Sequence, residues 1–395
     1  MAYLGPPPAR TPVTSAQITD ASVTAAKLAT DSVTTVKIAA ANVTTAKLAA
    51  SSALVGKNLL VNGNFSVAQR GTSFAAIADQ AFSLDRWETR YSSAARVTIT
   101  QDTSGVFAAL GGSKQCMKID CTTVDSSIAS GDFFGIRQMV EAQNCTQLAF
   151  GSAAAKAVTI SFNVQSPKSG VHTLVLGNAD SSRSYAAEYT VASADTAERI
   201  SVTIPGDTAG TVFAADTGEG LRLIFSLLSG GDNSKAAGSW GSSIFEAGSN
   251  QQNLLDNTAN NFFLGDVMIE VGSVATDFEH EPISATLSKC QRYLQLLGNG
   301  AVGGARTANI AYFGLQLFPV MRAAPSLTLL DDSVQVIDTA GSGLISSSGS
   351  IQISNIKTTG LMFGIDGYSG GNVLTQHRPH IIYNQPDFLL ASAEL

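Results

Sequence analysis

The chain has 395 residues, 44% of them hydrophobic and 14% charged, and its formal net charge is -7. A weakly acidic chain offers no basic surface to a phosphate backbone, which excludes nucleic acid as an expected partner. The apolar content is enough for two or three hydrophobic cores, and the 36 glycines favour an all-β fold of short strands and many turns.

The start of the chain carries neither a targeting nor a membrane signal. Residues 1–11 contain Pro6, Pro7 and Pro8, which exclude regular structure, so we predict a flexible arm suited to attachment. This segment lacks the basic stretch and apolar stretch of a signal peptide, and no part of the sequence approaches ~18 consecutive apolar residues. We therefore expect a soluble chain without membrane insertion.

Residues 12–55 contain four copies of a phrase related to Val-Thr-x-Ala-Lys-Leu, with a period of ten. Each copy combines β-branched residues with helix-forming ones, which predicts a short strand followed by a helical turn. One turn cannot bury its own apolar side chains, whereas identical chains aligned around an axis supply the missing partners. The pattern predicts an intertwined homo-oligomeric stalk, and a disordered linker is the alternative. The predicted stalk core is Val13, Val23, Val33, Val43, Ile18, Leu28, Ile38 and Leu48.

Residues 56–280 contain segments in which apolar and polar residues alternate, the period expected of half-buried strands. Nine such segments are apparent, which predicts about ten strands and a two-sheet sandwich. The alternation predicts these core-facing residues in four of them: Val158, Ile160, Phe162 and Val164; Ile200, Val202 and Ile204; Leu221, Leu223, Phe225 and Leu227; Phe263, Val267, Ile269 and Val271.

Residues 281–298 have a helical pattern, because Leu287, Cys290, Leu294 and Leu297 are spaced three and four apart. Ser284 is the predicted N-cap and Gly298 the predicted stop, so this segment is expected to be a linker helix. Strand patterns resume in residues 299–395, which predicts a small C-terminal β domain.

The four cysteines, Cys116, Cys121, Cys145 and Cys290, are scattered without a paired Cys-x-x-Cys frame. We expect free thiols and assembly in a reducing cytosol, and disulfide pairing is the alternative.

The order of several segments gives the chain a family likeness. "NLLVNGNFSVAQRGTSF", "ISFNVQS", "GLRLIFSLLSGG", "EVGSVATDFEHEP" and "KCQRY", together with the repeats and the closing "ASAEL", resemble the fibre and tail-appendage proteins of tailed bacteriophages and prophages. The resemblance covers nearly the whole chain. It implies a homotrimer, attached to the virion through its N-terminus and assembled in the host bacterial cytoplasm.

The central module of these proteins is similar to carbohydrate-binding jelly rolls. The resemblance implies that Asn58 to Gly63 pairs near Asp266 and Val267. Related modules hold a structural calcium at this point, for which Asn64 and Asp266 are the candidate ligands here. The family's acidic residue after the phenylalanine is replaced by Ser66, which puts calcium in doubt.

Sugar recognition needs aromatic rings for the apolar face of the sugar and polar groups for its hydroxyls. Trp87 is expected in the core, whereas Trp240 lies in a glycine- and serine-rich loop, where it is either a sugar platform or a lid folded onto the protein. Tyr185 and Tyr189 share one face of a predicted strand, so they are either a sugar track or ordinary core residues. The candidate glycan contacts are therefore Trp240, Tyr185 and Tyr189.

We expect no catalytic activity, with glycan depolymerisation as the less favoured alternative. Glycan cleavage needs two carboxylates facing each other in a cleft, and Asp207, Asp216, Glu219 and Asp232 are instead spaced as turn residues. Glu279 and Glu281 flank His280 at a domain junction, and Pro379 separates His377 from His380 so that they do not form a helical metal pair. The sequence predicts a virion fibre that adheres to a host-surface polysaccharide, and a purely structural head, collar or tail decoration is the alternative.

Overall fold

The structure is a computed structural model. It describes residues 56–298 apart from 211 and 244, and residues 301–331, 335–338, 344–346, 351–365, 379–382 and 387–395. The predicted arm, the stalk repeats and the eight stalk-core positions lie outside the described residues. Residues 54–395 form one compact unit.

The first half of the described chain consists of strands that follow one another with a short helix between them. They are β1 (Ser73–Ala75), β2 (Glu88–Ser92), β3 (Arg96–Asp102), β4 (Cys116–Thr123), β5 (Phe133–Glu141), α1 (Ala142–Cys145), β6 (Val158–Gln165), β7 (Gly170–Asn178), β8 (Ser184–Val191), β9 (Glu198–Ile204), β10 (Glu219–Ser229), β11 (Ser234–Lys235), β12 (Trp240–Gly241), β13 (Ala247–Gly248) and β14 (Asn261–Val271).

Two antiparallel six-stranded sheets form a sandwich. Sheet A has the order β1-β3-β4-β14-β6-β9, and sheet B has the order β12-β8-β7-β10-β5-β2, while β11 and β13 form a separate two-stranded ribbon. Apolar side chains from both sheets make one core, in which Trp87 is fully buried as predicted. The predicted all-β, jelly-roll-like fold is confirmed.

A second helix and ten further strands complete the chain. They are α2 (Ile283–Gln291), β15 (Leu294–Leu297), β16 (Val302–Ala305), β17 (Ala311–Gln316), β18 (Ser326–Leu329), β19 (Gln335–Asp338), β20 (Leu344–Ser346), β21 (Ile351–Lys357), β22 (Gly360–Ile365), β23 (Pro379–Ile382) and β24 (Leu389–Ser392). The seven-stranded C-terminal sheet has the order β20-β19-β23-β16-β17-β22-β21, and a small sheet has the order β15-β24-β18.

The predicted core faces are confirmed on β6 and β10, whose four apolar residues each are buried in the sandwich core. On β9, Ile204 is buried, whereas Ile200 and Val202 are half-buried. The prediction was wrong for Phe263 on β14, where Phe262 and Leu264 enter the core instead. A β-bulge between Gly265 and Met268 shifts the alternation of this strand by one residue.

The bulge in β14 is also where the opening motif meets the sheet. The Leu59 N–H donates to the Ile269 carbonyl, and the Val267 N–H donates to the Gly63 carbonyl, both at 2.9 Å. A Cβ on Gly63 would lie 2.0 Å from the Val267 carbonyl oxygen, so only glycine allows this approach. The implied pairing of Asn58 to Gly63 with Asp266 and Val267 is therefore present, although the motif is not a regular strand.

The predicted linker helix is shorter than expected. It ends at Gln291, Pro282 rather than Ser284 occupies the N-cap position, and Leu294 and Leu297 belong to β15. Residues 294–297 pair with β24 near the end of the chain, and this long-range pairing overrides the local helical spacing. The four cysteines are free and buried, as predicted.

Buried charges join the sandwich to the C-terminal part of the chain. Glu141 is fully buried and accepts two hydrogen bonds from Arg292, at 2.7 and 2.9 Å, and one of 2.6 Å from the Tyr293 hydroxyl. Glu394 pairs with Arg70 and with the buried Arg86. The closing residues of the chain are thus fixed against the sandwich by ion pairs.

Candidate functional site

Trp240 forms the two-residue strand β12 at the edge of sheet B, opposite Tyr185. Its ring is half-buried, and its indole N–H donates to the Pro205 carbonyl at 2.7 Å. Edge-on contacts join it to Phe150 and Tyr185, with ring centroids 5.5 and 5.7 Å apart. Of the two readings offered by the sequence, the lid describes this conformation better, because the indole closes the gap between the edges of the two sheets.

The two tyrosines of β8 point into the sandwich. Tyr189 is only 4% exposed, and its ring contacts Phe162 and His172. Burial raises the pKa of its hydroxyl far above the ordinary value. Tyr185 is nearly as buried, and its ring packs against the Trp240 ring in an edge-on contact. Neither tyrosine presents a ring face to solvent, so we do not retain them as direct sugar contacts.

Phe213, which the sequence did not single out, extends this aromatic group. Its ring lies 5.5 Å from that of Phe150 and is half-buried, and its neighbour Val212 is 68% exposed. We call Phe150, Tyr185, Phe213 and Trp240 the aromatic end of the sandwich. The available signal was an aromatic residue in a loop of small residues, "GTVFAAD", which is weak because many loop aromatics only pack inwards.

A cleft of about 240 Å³ lies beside the aromatic end. Its lining combines the apolar Val212 and Phe213 with the polar Asn178, Asp180 and Asp216. We call it the Phe213 cleft. Asn178 is held in place because its side-chain amide donates to Ser182 Oγ and its carbonyl oxygen accepts the Arg183 N–H, each at 3.0 Å. The remaining lining residues are Ala142, Ala179, Ala214, Gly218, Glu219 and Gly220.

A larger cleft of about 520 Å³ opens where the described chain begins. Its walls combine the backbone of Leu59 and Leu60 with Gln143, Asn144 and Arg292. Arg292 is already committed to Glu141, and Gln143 donates to the same carboxylate at 2.6 Å. Apolar and polar groups both line this cleft, and its aromatic lining residue, Tyr293, is only 4% exposed, so the cleft offers a sugar ring less aromatic surface than the Phe213 cleft does.

The candidate calcium ligands lie close to the bulge of β14. Asp266 is buried in a left-handed backbone conformation, with a φ of 48°. Its Oδ2 accepts hydrogen bonds from the Ser113 N–H and the Asn163 amide, and its Oδ1 has no hydrogen-bond partner. The Asn64 side-chain oxygen accepts the Ser66 N–H at 3.3 Å. Within the described residues no three His, Cys, Asp or Glu side chains cluster as a metal site, and calcium stays a prediction.

The acids considered for catalysis are mostly engaged in structural contacts. Asp207 forms a bidentate pair with Arg183, Glu219 pairs with Arg222, and Glu281 pairs with Lys289. Glu279 accepts the Asn58 N–H at 3.0 Å. His377 lies outside the described residues.

Burial raises the pKa of two carboxyl groups, which is the direction a general acid needs. They are Asp85 and Glu246. Desolvation raises both pKa values, and it outweighs the hydrogen bonds from Gln69 that lower the pKa of Asp85 and the nearby arginines that lower the pKa of Glu246. Neither lines the Phe213 cleft or the larger cleft. Among the described helices none is long and apolar enough to span a membrane.

No protein-family model and no curated protein matches this chain. Among solved structures it is similar to the carbohydrate-binding module CBM4, with 14% identity over 53% of this chain and 97% of that chain, at a TM-score of 0.29. A family 11 carbohydrate-binding module of Clostridium thermocellum has 11% identity over 52% of this chain and 98% of that chain, at a TM-score of 0.24.

The enzymatically active domain of tailspike protein 4 of bacteriophage CBA120 is a further similar structure, with 9% identity over 54% of this chain and a TM-score of 0.29. This chain spans only 21% of that tailspike chain. At such identities and TM-scores these likenesses carry no argument about function, so the function is argued from the residues of the chain itself.

Proposed function

We propose that the chain is a fibre or spike subunit of a bacteriophage virion, and that its sandwich binds a host-surface glycan without cutting it. The proposal rests on the Phe213 cleft. Phe213 and Val212 offer a surface for the apolar face of a sugar ring, while the amide and carboxylate groups of the same lining are available for hydrogen bonds with hydroxyls. At 240 Å³ the cleft is smaller than the roughly 300 to 1,000 Å³ of drug-sized sites, which suits one terminal sugar.

The aromatic end gives this cleft a rigid support. Phe213 packs on Phe150, which in turn contacts Trp240, whose indole N–H is fixed to the backbone of Pro205. Because the ring is held in place before a ligand arrives, binding costs little ordering entropy. In this proposal Trp240 acts as a positioning residue behind Phe213, not as the sugar platform itself.

The assembly completes the proposed mechanism. Single sugar contacts are weak, and three aligned copies held by the stalk of residues 12–55 raise avidity because the later binding events become intramolecular. The arm of residues 1–11 attaches the trimer to the virion. That the sandwich binds the glycan without cutting it is part of the proposal, and the assay for reducing ends tests it directly, because Asp180, Asp216 and Glu219 line the cleft.

The test is binding of fluorescently labelled full-length protein to host cells and to cells stripped of surface polysaccharide. We expect saturable binding that is lost on stripping, and no release of reducing ends from the purified polysaccharide. Phe213→Ala and Asp180→Ala, the latter at an exposed residue of the cleft, should each weaken binding at least tenfold. Phe263→Ala, on the outer face of sheet A and away from the cleft, should not. Released reducing ends would show a depolymerase instead.

A purely structural fibre is the second candidate, and the ion-paired joint favours it. Arg86, Arg292 and Arg322 tie the sandwich to the C-terminal strands, as a stiff virion rod requires. Absence of binding at micromolar protein, with the oligomer verified by light scattering, would favour this candidate over adhesion.

A further inference from the structure

The C-terminal sheet leaves one of its faces open. Its other face is closed by a core that includes Phe313 and Phe363, both of which are buried. On the open face, Ile381, Val302, Gly314 and Met362 are direct register partners on four adjacent strands, β23, β16, β17 and β22. Register partners share a face of an antiparallel sheet, so these residues form one row, which we call the apolar row.

The apolar row is strongly exposed. Val302 is 57% exposed, Met362 47% and Ile381 37%, and Gly314 adds no side chain between them. Two residues along the strands, Pro379, Gly304 and Tyr312 are again register partners on the same face. None of these seven residues is charged. Contiguous apolar surface of this kind on a soluble protein marks an interaction site.

We propose that this face is a self-association surface, against which a second copy of the same chain packs. The missing side chains at Gly304 and Gly314 let another sheet approach closely, and the exposed Gln316 and Lys357 border the row on the same face, where they can pair with polar groups of the second copy. A sheet of seven strands, at ~4.8 Å spacing and roughly 15 Å long, has a face of about 500 Å². Two copies then bury roughly 1,000 Å², the lower limit for a specific interface.

An interface of that size is weak by itself and gains strength when its partners are already tethered. The repeats of residues 12–55 call for aligned identical chains, so a copy of this chain is the partner that is always present. The inference therefore rests on the assembly in the proposed function and adds a second contact, at the opposite end of the sequence from the stalk. The copies then contact each other through the stalk, which precedes the sandwich in the sequence, and through the C-terminal sheet, which follows it.

The inference is tested on the full chain by cross-linking. Val302→Cys places a thiol on the apolar row, and Thr190→Cys places a control thiol on the exposed outer side of β8. The four native cysteines are buried, so the unchanged chain is a second control with little reactivity toward a short bismaleimide. We expect covalent dimers from Val302→Cys, because one accessible thiol per chain joins two chains at most, at least tenfold more than from either control and at all dilutions that keep the chain assembled.

A charge on the same row gives an independent readout. Met362→Lys should raise the concentration at which the oligomer dissociates at least tenfold, and Thr190→Lys should not change it. If light scattering finds an oligomer but Val302→Cys reacts no more than Thr190→Cys, this inference is wrong and the proposed stalk assembly stands. A monomeric full chain would overturn both, and loss of host-cell binding in Met362→Lys with an intact oligomer would identify a receptor site instead.

Discussion

The outer faces of the sandwich differ from the outer face of the C-terminal sheet. The outer face of sheet A is covered by its own chain around β14: the Ser113 N–H donates to Asp266, Thr276 donates twice to Glu270, and Met268 is fully buried. On the outer face of sheet B, Val175, Ala186 and Ile224 pack against Ala237, and Gln251 accepts two 2.7 Å hydrogen bonds from Thr173.

None of the described residues covers the apolar row in this way. Two methionines make the contrast plain, because both occupy outer faces of sheets, yet Met268 is 0% exposed and Met362 is 47% exposed. The sandwich completes its burial within one chain, whereas the C-terminal sheet leaves apolar surface for a partner. Whether an apolar side chain on the outer face of a β sheet is buried therefore depends on the segments that pack over that face.

The largest effect is expected from placing a charge at each methionine. Met268→Lys buries an ammonium without a partner and should lower the free energy of unfolding by about 3 to 5 kcal/mol. Met362→Lys should change it by less than about 0.5 kcal/mol, because the new charge stays in water. Chemical denaturation of both variants at low protein concentration measures the difference, and equal losses would remove the contrast between the two faces.

The second largest effect is expected at the buried ion pairs, centred on Glu141 and Glu394, that join the sandwich to the C-terminal strands. Glu141→Gln removes the charge that holds Arg292 and replaces one acceptor oxygen by an amide NH2, a donor that faces the donors around it, which should cost about 3 kcal/mol. Asp256→Asn is the matched control, since its pair with Lys168 is partly exposed on both sides and should cost less than about 1 kcal/mol. Urea unfolding followed by circular dichroism separates the two, and a Glu141→Gln variant as stable as the wild type would mean that the joint is not held by this charge.

The joint should also weaken in acid. Burial raises the pKa of Glu141, but hydrogen bonds from Arg292 and Tyr293 outweigh it and hold the folded-state pKa below the ordinary 4.5. Because the unfolded chain then binds the proton more readily, this stabilisation is complete above about pH 4.5 and is lost as the pH falls through the folded-state pKa. The stability gap between wild type and Glu141→Gln should therefore narrow below pH 4.5, as thermal melts across that range would detect. A stability difference that stays constant across this pH range would contradict the role assigned to Glu141.

The smallest effect is expected at the aromatic end. Trp240→Ala removes a half-buried ring and the hydrogen bond to Pro205, which should cost about 1 to 2 kcal/mol. Trp240→Phe keeps most of the ring contacts and should cost less than half of that. If the indole is a positioning residue, both variants should weaken glycan binding less than Phe213→Ala does, measured with the same labelled-cell assay.

The sandwich faces could be read from sequence wherever alternation was uninterrupted. On β6 the period of two is unbroken, so the apolar side chains had only one face to occupy. On β10 it holds for Leu221, Leu223, Phe225 and Leu227, although Ile224 lies on the outer face and a register shift after Ser226 brings Leu228 into the core as well. The register of β14 could not be read, because the left-handed turn at Asp266 inserts a bulge that depends on the neighbouring strands. The end of α2 was missed for a similar reason, since Leu294 and Leu297 suit either a helix or the strand that pairs with β24.

The all-β class, the buried Trp87 and the free thiols could be predicted from the sequence alone, because alternation and cysteine usage are local patterns, whereas the pairing of the opening motif with β14 was implied only by the resemblance to phage appendage proteins. Only the tertiary structure decided that Tyr189 points inward, that Trp240 folds onto Pro205, and that Phe213 faces a cleft. It also decided that Met268 is covered and Met362 is open. These outcomes depend on which loops cross which sheet, and contacts between residues far apart in the chain leave no periodic trace in the sequence.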